Sequence, residues 1–101
     1  MTDEARVLHR LSDRNITDND LSASIDLAEL LILTQSLPLL LDIVQDNARA
    51  FSVREQAAKT IAFLGAATIE PEIDRLLRGC SEKQLVALLI LAKGKPKDHY
   101  F

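Results

Sequence analysis

The segment SVREQAAKTIAFLG, Ser52 to Gly65, returns at the end of the chain as SEKQLVALLILAKG, Ser81 to Gly94, serine answering to serine and glycine to glycine. In the first copy Ser52 is placed to cap a helix and Glu55, three positions on, to complete a capping box. Val53, Ala57, Ile61 and Leu64 then share one helical face, and Gly65 supplies a left-handed exit. In the second copy Ser81 and Gln84 form the box, an apolar run follows, and Gly94 and Pro96 close it. A chain that writes the same capped helix twice is constrained to an architecture of stacked helices.

The rest of the chain follows the same pattern. EPEIDRLLRG puts Pro71 in a first turn, Ile73, Leu76 and Leu77 on one side, and Gly79 at the stop, which predicts a short helix. SLPLLLDIVQD has a proline two positions after Ser36 and an inward face of Leu40, Ile43 and Val44. Upstream, Thr17 and Asp20 form a box-like pair ahead of Leu21, Ile25, Ala28, Leu31 and Ile32 at helical spacing. Val7, Leu8 and Leu11 predict a first amphipathic helix over about 2–13. Aromatic residues are only 4% of the chain, and its apolar content is mostly Leu, Ile and Ala, which favours helices over strands. The expectation is an all-α fold of about six helices in one domain, 1–101, with no strand required.

Matching the segments gives helix pairs used about twice, over 17–46 and 52–79, with half units at 2–13 and 81–94. Ala28 meets Ala58 and Leu31 meets Ile61 at an offset of 30; Ala58 meets Ala87 and Ile61 meets Ile90 at 29. The proline-started helices match at 33: Pro38 with Pro71, Leu40 with Ile73, Ile43 with Leu76 and Val44 with Leu77.

The stretch DNARAFSVREQAAKTIAFLG together with EPEIDRLLRG resembles a HEAT repeat of the armadillo-like helical superfamily. The likeness rests on Val53-Arg54 opening one helix, Ala57-Ala58 in its middle, Leu64-Gly65 at its end, and the Pro71 helix closing on Leu76-Leu77. It covers about residues 36–94. Asp46 stands where the family often carries an acid that, with a basic residue such as Arg54, ties neighbouring repeats. The period is shorter than the family's roughly 40–47 residues, and the counterpart of Asp46 in the next unit is Gly79. The resemblance implies antiparallel helix pairs and a non-catalytic scaffold or adaptor that binds another protein. It also implies that the proline-started helices line a concave surface, which makes Asp42, Gln45, Asp46, Glu72, Arg75 and Arg78 the candidate partner-binding residues.

Other readings stay open. A closed six-helix bundle, such as the death-fold signalling adaptors, has a similar length and helix count. Short bacterial HEAT-like proteins also serve as subunits of bilin lyases, and that likeness implies tetrapyrrole binding in an accessory subunit. The apolar run LVALLILA, Leu85 to Ala92, has no polar face, so something must cover its second side. The candidates are the chain's own helices, its C-terminal tail, a second copy or a partner. Leu85, Leu88, Leu89 and Leu91 are the candidate apolar interface.

Charge and cysteine usage exclude further classes. Fifteen acidic against twelve basic residues leave a net charge of -3, so no basic field is expected to hold nucleic acid. The single cysteine, Cys80, cannot form an internal disulfide and fits a reducing compartment. The opening MTDEARVLHRL lacks the basic start and apolar stretch of a signal peptide, and no segment is apolar enough to span a bilayer, so the expected location is cytoplasmic. His9 and His99 lie far apart with no cysteine or histidine at ligand spacing. Cys80 reads as a small residue in a tight turn, and KGKPKDHYF as a tail. No catalytic, metal or cofactor residue is expected, and a homo-oligomer is compatible with the pattern.

Overall fold

A computed structural model describes residues 2–94, which form six α-helices and no strand. Helix α1 (Asp3–Ser12) starts where the Thr2 hydroxyl accepts the Ala5 N–H at 3.1 Å, with Asp3 and Glu4 favourably placed in its first turn. Helix α2 (Asp18–Leu30) starts in the same way, Thr17 accepting the Asp20 N–H at 3.2 Å. A single 3-10 turn (Thr34–Ser36) leads into α3 (Leu37–Gln45), and α5 (Glu70–Gly79), like α3, has its proline in the first turn.

The two serines expected to cap helices do not. Helix α4 (Phe51–Leu64) begins two positions earlier than Ser52 requires, and the N–H of its N-cap residue, Ala50, donates to Asp18 Oδ2 at 3.2 Å. The start of α4 is thus anchored by the first residue of α2 and has no side-chain cap, and Ser52 is already helical. Extended backbone at Cys80 and Glu82 carries the chain past Ser81, so α6 (Lys83–Lys93) starts without a side-chain cap.

Helix α2 also ends earlier than its apolar spacing predicts, and Leu31 and Ile32 are exposed. Leu33 N–H donates to Ala28 O at 2.9 Å and Ile32 N–H to Glu29 O at 3.1 Å, the paired bonds of a Schellman turn. Ile32 holds the left-handed position (φ 49°), which is strained for a β-branched residue. The turn places Leu33 in the core at 1% exposure. Gly65 (φ 99°) ends α4 without such strain.

The helices form a slab of 41 × 30 × 20 Å, thin enough for two layers of helices each roughly 10 Å across. Successive helices pair as α1 with α2, α3 with α4 and α5 with α6. The even-numbered helices lie side by side, α2 against α4 and α4 against α6, whereas α1 touches α3 only lightly and α3 hardly reaches α5. Helix α4 is central, with Ala57, Ala58 and Ile61 fully buried. Polar bridges show that α2 and α4 run parallel. Ser22 Oγ donates to Gln56 Oε1 (2.6 Å), Gln56 Nε2 to Asp26 Oδ1 (2.8 Å) and Thr60 Oγ1 to Glu29 Oε1 (3.1 Å), so partners advance together along both helices.

Burial recurs over the first four helices at the offset that relates Pro38 to Pro71. Val7 and Leu11 return as Leu40 and Val44, and Leu21, Ser24, Ile25 and Ala28 return as Arg54, Ala57, Ala58 and Ile61. The offset of the proline-started helices therefore extends to α2 and α4. The offsets of 30 and 29 do not hold in space: Leu31 is exposed where Ile61 is buried, and Ile90 is exposed where Ile61 is buried. In α6 the buried set is Leu88, Leu89 and Ala92, a shift of 31 from Ala57, Ala58 and Ile61. Alignment by terminal glycines misplaces the register, because caps fix where a helix stops and not which face it buries.

Candidate functional site

The turns after α1 and α3 are near copies. Asp13 Oδ1 accepts the Asn15 N–H and Asp46 Oδ1 the Ala48 N–H, each at 2.9 Å, giving the same aspartate-stabilised turn at the proline offset. Arg49 joins the two. Its Nη1 donates to Ile16 O at 2.6 Å and Asp18 Oδ1 at 3.1 Å, its Nη2 reaches Arg14 O at 3.3 Å, and its Nε lies 3.7 Å from Asp46 Oδ2. Only 11% of this side chain is exposed. The basic partner of Asp46 is thus Arg49 and not Arg54, which is buried and donates its Nε to Val44 O at 2.9 Å. That carbonyl belongs to the last turn of α3, where the helix dipole favours a cation.

Beside this staple a cleft of about 410 Å3 opens between the C-terminal ends of α1 and α3. Asp42, Gln45 and Asp46 all line it, over a floor that includes Leu11, Leu39 and Ile43. Asp42 is exposed, while Gln45 is half-buried and donates its amide to Leu41 O at 3.2 Å. Glu72, Arg75 and Arg78 do not reach the cleft and sit on α5, Glu72 and Arg75 exposed. The six candidate binding residues therefore form two separate groups. Helices α3 and α5 also belong to the layer that fans apart. A two-layer array curves toward its closer-spaced layer, here α2, α4 and α6.

On α5, Arg75 grips Glu72 with two nitrogens, Nε at 3.1 Å from Oε2 and Nη2 on Oε1. The hydrogen bond to Arg75 holds the Glu72 carboxyl below its ordinary range and in turn raises the Arg75 guanidinium. The Lys93 ammonium is raised by its hydrogen bond to Asp74 (2.7 Å), which ties α6 to α5. The exposed Glu72–Arg75 pair orders side chains and contributes little to stability.

The apolar run of α6 is covered chiefly by its own chain. Leu88 and Leu89 are core residues at 2% and 0% exposure, so they are not available to a partner, and Leu85 and Leu91 are half-buried against the core. Helices α3, α4 and α5 supply the cover. Within the run Ile90 is the large side chain left exposed (58%), and the other strongly exposed apolar side chains lie outside it, led by Leu30 (77%), Ile32 (65%) and Phe63 (63%). Leu30 and Phe63 are equivalent under the shift that relates α2 to α4.

His9 is exposed on α1. Cys80 is half-buried at the end of α5, its Sγ 3.7 Å from Glu82 O. His99 and the tail from Lys95 lie outside the described residues. Among the described residues no group of three His, Cys, Asp or Glu side chains could hold a metal ion, and no helix is long and apolar enough to cross a membrane. Sequence reasoning missed Arg49, Asp18 and Gln56; the recurrence of Asp13 as Asp46 at the same offset as the prolines was the signal that could have drawn attention to the joined turns. Comparison of the chain with protein-family models, curated proteins and solved structures finds no match in any of the three.

Proposed function

We propose that this chain is a non-catalytic, HEAT-like scaffold that binds another protein across the face of its closely spaced helix layer. The observation that carries this reading is the pair Leu30 and Phe63, the most exposed leucine and phenylalanine in the described residues, repeated at equivalent positions of adjacent parallel helices. Helices in contact lie about 8–10 Å apart, so these side chains offer two apolar anchors at a spacing a partner segment can bridge. Asp26 and Lys59, both exposed and equivalent under the same shift, flank them with opposite charge. Exposed anchors with a polar surround are the usual make-up of a binding surface. The cleft beside Asp42, Gln45 and Asp46 and the α5 set Glu72, Arg75 and Arg78 are the alternative contact surfaces. The single half-buried cysteine supports a reducing, intracellular setting.

The experiment is co-purification from source cells followed by binding of the recovered partner to purified variants. Phe63→Asp and Leu30→Asp are expected to lose at least about tenfold in affinity, as removal of an anchor does, with unchanged helical content. Asp42→Arg and Arg75→Glu are expected to bind as the parent does. The reverse pattern would move the contact to α3 and α5, and the absence of any stoichiometric partner would refute the scaffold reading.

A further inference from the structure

A groove of about 330 Å3 runs along the outer side of the first helix pair, lined by Asp3, Arg6, Val7 and Arg10 of α1 and by Leu27 and Leu31 at the C-terminal end of α2. At the shift of 33 these six positions become Ser36, Leu39, Leu40, Ile43, Thr60 and Leu64. In the second pair that face is covered: Ser36, Leu40, Ile43 and Thr60 are buried, and Leu39 and Leu64 are half-buried. The first helix pair contributes the cover. Thr60 bonds Glu29 of α2, and Leu39 and Ile43 share their cleft with Leu11 of α1. The groove is thus the position-for-position counterpart of a surface on which helices already lie in this molecule.

The two faces differ in chemistry, and the difference specifies the occupant. On the α2 side the groove is apolar, Leu27 and Leu31 being exposed at 42% each. On the α1 side Leu39 and Ile43 are replaced by Arg6 and Arg10, both exposed. Among the described residues neither arginine takes part in an ion pair. Like charges four positions apart on a helix repel each other, and Arg6, in the middle of α1, has neither a carboxylate nor a helix end to answer its charge. Asp3, the one acid of the groove, sits in the first turn of α1, where the helix start favours it. A surface that merely ended the array would be polar on both helices; this one is cationic on one and apolar on the other.

We infer that the groove receives an amphipathic helix of a partner protein, with carboxylates on the side that meets Arg6 and Arg10 and leucine-like side chains on the side that meets Leu27 and Leu31. Both rows of the groove advance by four helical positions, about 6 Å, and a helix laid along it presents acidic and apolar rows at the same step. This is recognition of a helix in a groove, with the apolar row as anchor. A chain with a net charge of -3 repels an acidic segment as a whole, so the two arginines fix where it docks as well as strengthening the contact. A bilayer surface does not enter a groove between two helices, which favours a helix over anionic lipid. The contact uses none of the residues of the Leu30 and Phe63 face, so it goes beyond the proposed scaffold reading and is tested apart from it.

The test is fluorescence anisotropy of two synthetic helical peptides titrated with the intact chain. Both carry leucines four positions apart; on the adjacent face one has glutamates at the same spacing and the other lysines. The glutamate peptide is expected to bind about tenfold or more tighter than the lysine peptide, with the difference shrinking in high salt. Arg6→Glu/Arg10→Glu is expected to invert that preference, and Leu27→Ser to weaken both peptides by about tenfold. Helical content checks that each variant folds. Phe63→Asp is expected to leave peptide binding unchanged; a loss there would place the peptide on the scaffold face and overturn the inference. Equal binding of the two peptides, binding of neither, or a preference that Arg6→Glu/Arg10→Glu leaves in place overturns it as well. So does binding to phosphatidylglycerol vesicles that depends on the same two arginines while the glutamate peptide stays free.

Discussion

The pairs α1–α2 and α3–α4 share one frame and fill it differently. Both carry the aspartate turn, at Asp13 and Asp46, and both bury matching positions at the offset that separates those two aspartates. Inside that frame Ile25 and Ala28 of α2 become Ala58 and Ile61 of α4, so large and small exchange places across one turn and the occupied volume is kept. Leu21 becomes Arg54, a buried cation directed at the end of α3. The polar cap Thr17 becomes Ala50, and the strained Ile32 becomes Gly65. The frame is therefore a matter of turn geometry and burial register, and it tolerates many side chains at the same buried positions.

The largest effect is expected from breaking the volume exchange. Ile61→Ala should cost about 3 kcal/mol in urea denaturation, typical of a cavity at a fully buried site. The double variant Ala58→Ile/Ile61→Ala, which writes the α2 order into α4, should recover part of that loss; no recovery would mean that the two pairs are packed independently. Next, Arg49→Ala should cost about 2 kcal/mol by releasing the joined turns, and the change should appear as lost amide protection between Asp13 and Asp18 as well as near residue 49.

Much of the frame was legible in the sequence. Prolines and terminal glycines marked the helices, and the offset between Pro38 and Pro71 is the one at which burial recurs over the first four helices. The parts that were not legible depend on contacts between distant segments. Ser52 looks like a cap because its spacing to Glu55 is right, but the start of α4 is set by Asp18, far upstream of Ala50 in the chain. Ile32 reads as a core residue in a continuing helix, and only burial of Leu33 explains why the chain turns there. The candidate site was legible only in part, since the charged residues of the proline-started helices fall into two groups and the exposed pair Leu30 and Phe63 emerges only from the three-dimensional register.

Smaller effects sharpen the comparison from the other side. Ile32→Gly, which gives α2 the ending that α4 already has, should stabilise by about 1 kcal/mol and raise the melting temperature by about 4–8 °C. A decrease would show that the Ile32 side chain has a packing role that outweighs its backbone strain. Ala50→Ser, which gives α4 the hydroxyl cap of α2, should add about 0.5–1 kcal/mol; calorimetry would resolve the gain, and its absence would mean that the first-turn amides of α4 gain nothing from a hydroxyl over solvent.

The third pair lacks the shared turn. Gly79 stands where Asp13 and Asp46 stand, only Ile73 of α5 is fully buried, and α5 rests mainly on α6. Its anchoring to the rest is a half-buried lysine–aspartate pair and a few half-buried leucines. Helix α5 is consequently the segment that can open without unfolding the remainder. Its amides should exchange with solvent deuterium through a low-energy partial opening, while those of α4 wait for global unfolding, and limited proteolysis should cut first between Gly65 and Ile69.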